Sequence, residues 1–132
     1  MPITYEIDAD RNLIVYHASG TITQRDAINV IDRAVTETNG AAMHKDVLFL
    51  VDPHASVNQI DVYAIKQIKS RIEDWVRKYP RAPIKCAIVS SPPDDIVGEL
   101  WRATTDAYPA IAASTRTFRT ASEAYAWLRP PV

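Results

Sequence analysis

Asp52, His54 and Ser56 place the three residue types of a hydrolase triad in one short segment. At alternating positions of an extended chain these side chains point the same way. They cannot then form the relay in which one group orients a base that reaches a nucleophile. The chain has no G-x-S-x-G turn to present a strained serine. The three histidines, His17, His44 and His54, do not have the spacing of a metal pair. The three glycines, Gly20, Gly40 and Gly98, make neither a phosphate loop nor a dinucleotide fingerprint. Cys86 lies inside the apolar run Ile84–Val89 and reads as a small buried hydrophobe. No catalytic residue, metal or cofactor is expected.

The elements that position these residues follow from hydrophobic periodicity. Ile3, Tyr5 and Ile7 alternate with polar residues, the period of a half-buried strand. A turn over Asp8–Asn12 and a β-rich run over Leu13–Ile22 complete a hairpin, with Gly20 marking a bend. Thr23 and Asp26 have capping-box spacing for a helix that buries Ala27, Ile28, Ile31, Ala34 and Val35 and stops at Asn39-Gly40. Val47–Val51 and Ile84–Val89 are continuous apolar runs, expected as strands covered on both faces. Between them a long helix runs from Asp61 to Tyr79, ended by Pro80, with Ser56 or Asn58 as candidate cap. The basic cluster Lys66, Lys69, Arg71, Arg77, Lys78 and Arg81, interleaved with Glu73 and Asp74, reads as a solvated face and not as a nucleic-acid site. A third helix runs from Ile96 to Tyr108. A strand over Ser114–Arg119 and a helix capped by Thr120 and Glu123 follow.

The order β-β-α-β-α-β-α-β-α predicts a single α/β domain. Its sheet is five-stranded, mixed and mostly parallel, with an antiparallel first strand. At 132 residues, with 15 basic against 16 acidic side chains, nothing favours nucleic acid or an anionic membrane. Trp75, Tyr79, Trp101, Tyr108, Tyr125 and Trp127 sit at core spacing and read as packing, not as a stacking platform. A single cysteine, no signal-peptide pattern and no apolar stretch of about 18 residues lead to a cytoplasmic expectation.

Three features carry a resemblance. They are the opening hairpin, the segment Ser19-Gly20-Thr21-Ile22-Thr23 before the first helix, and the ending Thr117 to Leu128 with Glu123-Ala124-Tyr125-Ala126-Trp127-Leu128. The chain resembles the SpoIIAA-like superfamily that includes STAS domains, and within it the uncharacterised bacterial STAS-like proteins. The resemblance implies sequential parallel strands with packed helices, and roles from anti-sigma antagonism to transporter regulation. Antagonists of that family carry a phosphorylatable Ser or Thr in an Asp-Ser-Ser/Thr-Gly-like turn after the central strand. Here Asp52 fits, but the adjacent hydroxyl pair and the Gly are absent, and Ser56 falls several residues late.

Ligands of parallel α/β sheets gather at the carboxyl ends of the strands. Asp52, His54, Ser56 and Asn58 follow one buried strand, and Ser90, Ser91, Asp94 and Asp95 follow the next. If the strands are neighbours, Asp52, His54, Ser56, Ser90 and Ser91 form a binding face. The alternative is that all of them cap turns and helices. The expected function is a non-catalytic STAS-like binding or regulatory module acting through a protein partner or a small ligand. The alternative is a small enzyme or carrier with an apolar pocket between helices and sheet. A filled core favours the first, and a cavity of several hundred cubic ångströms with a few polar groups favours the second. A sheet face left uncovered would support a homodimer.

Overall fold

A computed structural model describes residues 2–91, 95–104, 111 and 113–128. Asp94, Tyr108 and Pro109 lie outside the described residues. The elements are β1 (Ile3–Asp8), β2 (Leu13–Ala18), α1 (Gln24–Glu37), β3 (Asp46–Val51), α2 (Val62–Lys78), β4 (Ile84–Val89), α3 (Asp95–Thr104), β5 (Ala113–Phe118) and α4 (Ala121–Leu128). They build one five-stranded sheet in the order β1-β2-β3-β4-β5. β1 runs antiparallel to β2, and every later pair is parallel. The fold class read from the sequence is the one observed.

Register and the period of the strand define two sheet faces. Tyr16 stands beside Phe49, and Phe49 beside Ile88. These residues, with Ile14, Val47 and Cys86, share the face that packs under α1, α2 and α3. Leu13, Val15, Leu48 and Ala87 share the other face, under α4. Coverage is uneven, against the expectation of strands buried on both sides. Leu48 and Ala87 are fully buried, whereas Val47, Phe49, Leu50, Cys86 and Val89 are half-buried. α4 is short, and over β1 and β2 the same face carries Thr4, Glu6 and His17, all exposed.

The helix ends show where local chemistry decides. Thr23 caps α1 in a full capping box with Asp26. α2 is capped by Asp61, whose Oδ1 accepts from the Ala64 amide at 2.7 Å, and not by Ser56 or Asn58. Ser56 is held elsewhere. Its amide donates to Gly20, its carbonyl accepts from Ile22, and it forms an isolated parallel bridge with Thr21. β2 has ended at Ala18 by then, and Gly20 turns the chain at φ 69°. After α1, Asn39 and Gly40 take positive φ and lead into a 3-10 turn over Ala41–His44.

Lys69 corrects the reading of α2. It is fully buried, and its Nζ donates to the Trp101 carbonyl at 2.6 Å and to Thr104 Oγ1 at 2.8 Å. Lying four residues after Ile65, it belongs to the inner stripe. Its stem packs there while its head satisfies the Trp101 carbonyl and the Thr104 hydroxyl at the end of α3. Arg71 is not simply solvated either. Its Nε and Nη2 meet the two oxygens of Asp32 at 2.9 and 3.0 Å, and Trp75 Nε1 donates to Asp32 at 2.7 Å, clasping α1 to α2.

Candidate functional site: an apolar cavity under three helices

The helices α1, α2 and α3 do not fill the space above the sheet. A cavity of about 170 Å³ remains between them and the strands. Tyr16, Phe49 and Ile88 form part of its floor, and Val30, Ile72 and Trp101 part of its roof. Residues from both ends of β4 reach it. Arg81, ahead of the strand, lines one end, and Ser90, just after it, lines the other.

The polar groups on this wall are few and their states follow from burial. Ser90 is 3% exposed, and its Oγ has no hydrogen-bond partner among the described residues. Arg81 donates from Nε and Nη2 to the Ile111 carbonyl at 2.9 and 2.5 Å, and from Nη1 to the Met43 carbonyl at 3.4 Å. No ion pair among the described residues includes Arg81. Desolvation lowers its affinity for the proton, with Cys86 and Tyr16 acting the other way. A guanidinium stays charged at neutral pH all the same. Burial pushes the Cys86 thiol up to about 11, against the pull of nearby Arg81 and of Thr115, its register partner on β5. Burial also pushes the Tyr16 phenol well above its ordinary range. Thiol and phenol are therefore both protonated near neutrality, and among the described residues no base lies within hydrogen-bonding reach of Ser90. The arrangement suits holding a molecule more than attacking one.

The residues expected to form the site divide. β3 and β4 are neighbours, so their carboxyl-end loops share one edge of the sheet. Asp52 builds the turn after β3: its Oδ1 accepts from the His54 amide at 2.8 Å and its carbonyl from the Ala55 amide at 2.9 Å. His54 is exposed on that turn, and Ser56 accepts from the Asn58 amide at 3.5 Å. None of these three lines the cavity, and neither does the half-buried Ser91. Ser90 does. His17 is exposed, with Nε2 2.9 Å from Glu6 Oε1, and His44 ends the 3-10 turn. Arg81, expected with the solvated basic cluster, instead lines the wall and bonds two backbone carbonyls, and Tyr16 is expected only as part of a β-rich run. Among the described residues, no three His, Cys, Asp or Glu side chains are grouped to hold a metal, and no helix is long and apolar enough to cross a membrane.

Comparison with protein-family models and with curated proteins gives no match for this chain.

Proposed function

We propose that the chain is a non-catalytic, STAS-like binding module whose ligand is a small apolar molecule held between the sheet and α1, α2 and α3. The cavity carries this reading. At about 170 Å³ it slightly exceeds an engineered void of about 150 Å³ that takes up benzene. It falls below the roughly 300–1,000 Å³ of pockets for drug-sized ligands. The occupant then has the bulk of one ring or a short chain. Occupancy adds stability that grows with the logarithm of ligand concentration over its dissociation constant.

The STAS-like part of the proposal is supported by the opening hairpin, the sequential strands and the capped closing helix. A homodimer through the second sheet face has less behind it, because Thr4, Glu6 and His17 make its open part polar. The test is native mass spectrometry of protein purified from its own source, followed by toluene titration watched by thermal melting. A co-purifying small molecule and a melting point that climbs with toluene are expected. The variant Val47→Phe, which fills the cavity, should abolish the toluene response. A chain that carries nothing and melts identically with and without toluene overturns the reading.

A further inference from the structure

We infer that the natural occupant of this cavity is a carboxylate with a short apolar body, and that Arg81 receives its head. The inference rests on the cavity being a ligand site and adds the chemical class.

Arg81 is the one charged residue on the cavity wall among the described residues. Its partners among the described residues are the carbonyls of Ile111 and Met43, which carry no formal charge. A guanidinium has five N–H groups in a planar fork. The three observed bonds leave one N–H on each terminal nitrogen. A cation held in apolar surroundings without a counter-ion is unfavourable, and a carboxylate against the fork supplies two parallel charge-assisted hydrogen bonds. Tyr16 and Cys86 line the same cavity as Arg81, and each carries a hydrogen that can be donated. The Arg81 end thus offers one positive charge and donors. Beyond it the wall is aliphatic and aromatic, with Phe49 and Ile88 on the floor, and suits a hydrocarbon body. Ser90 Oγ, buried at the far end without a partner among the described residues, gives a second polar atom on the body a place to bond. A dianionic phosphate is poorly matched by a single cation, and a cationic ligand is repelled by it.

The experiment is calorimetric titration of the full chain with benzoate and hexanoate, against toluene and 1-hexanol as neutral counterparts of similar bulk. The acids should bind at least tenfold more tightly than their counterparts. Arg81→Gln should remove that preference and leave toluene affinity within twofold. Because Arg81 also holds two backbone carbonyls, Tyr16→Phe is measured beside it, with a severalfold loss for benzoate and none for toluene expected. In the unaltered protein, the Arg81 side-chain N–H resonances should shift with benzoate and stay still with toluene. If toluene binds and the acids bind no better, the carboxylate inference is overturned while the apolar pocket stands. If neither acids nor neutral probes bind, the pocket reading falls with it.

Discussion

Lys69 Nζ lies 2.6 Å from the Trp101 carbonyl oxygen and 4.8 Å from the centroid of the same residue's ring. One ammonium thus joins the middle of α2 to the last turn of α3, from a fully buried position. Lys69→Ala removes the packed stem and the donor to the Trp101 carbonyl and the Thr104 hydroxyl. It should lower the unfolding free energy by about 2–4 kcal/mol in urea titrations. Lys69→Met keeps the stem and should lose less. Equal, negligible effects of both would show that this contact does not hold α3.

Gly40 and Tyr79 form a second fixed pair. A Cβ on Gly40 would stand 2.4 Å from Tyr79 Cε1, and Gly40 has φ 89°. Gly40→Ala should therefore destabilise by about 1–3 kcal/mol, from left-handed strain and from the clash. In a double-mutant cycle Tyr79→Ala should recover the clash part only, leaving a favourable coupling between the substitutions. Strict additivity would rule out the contact as the cause.

The uneven coverage of the sheet separates two substitutions. Leu48 is fully buried between β2 and β4, so Leu48→Asp buries an unpaired carboxylate and should give no folded protein. Val89 is half-buried, so Val89→Asp should fold and melt at lower temperature. Circular dichroism of the two purified chains decides this, and a cooperatively melting Leu48→Asp would remove that residue from the core.

The Cys86 thiol supplies a pH test. Its ordinary value of 9.0 is raised to about 11 in the folded chain. Between these values the unfolded state has lost the proton and the folded state keeps it. Stability from this group is therefore intact below about pH 9 and declines as pH rises toward 11. The decline should reach roughly 2–3 kcal/mol at about 1.4 kcal/mol per unit. Cys86→Ala should flatten that part of the stability curve. At neutral pH the folded thiol should react with Ellman's reagent far more slowly than the unfolded one.

Periodicity makes most of the fold legible. Alternation in Ile3–Ile7, the unbroken apolar runs Val47–Val51 and Ile84–Val89, and the Thr23-Asp26 and Thr120-Glu123 spacings each report a local cause with a local effect. Lys69 is misread because residue type suggests the surface, while its position four after Ile65 puts it inside. The cap of α2 is misassigned because Ser56 and Asn58 are suitable types, but the first helical turn starts further on, at Asp61. Ser90 continues the alternation of Cys86 and Ile88, so its inward direction is readable. The cavity is not. A void is a mismatch among side chains brought together from distant parts of the chain, and no local pattern encodes it. Arg81, set among Pro80, Ala82 and Pro83, carries no motif at all.

The sheet lists its strands in the order the ribosome makes them. After the opening hairpin, each strand from β3 to β5 arrives by a helical crossover and pairs with the one made just before it. No strand has to be inserted between two others, so no part of the sheet must wait for a later segment before it can pair. Assembly can therefore advance with synthesis from the N-terminal side. At every stage the growing sheet presents one open edge to the next strand.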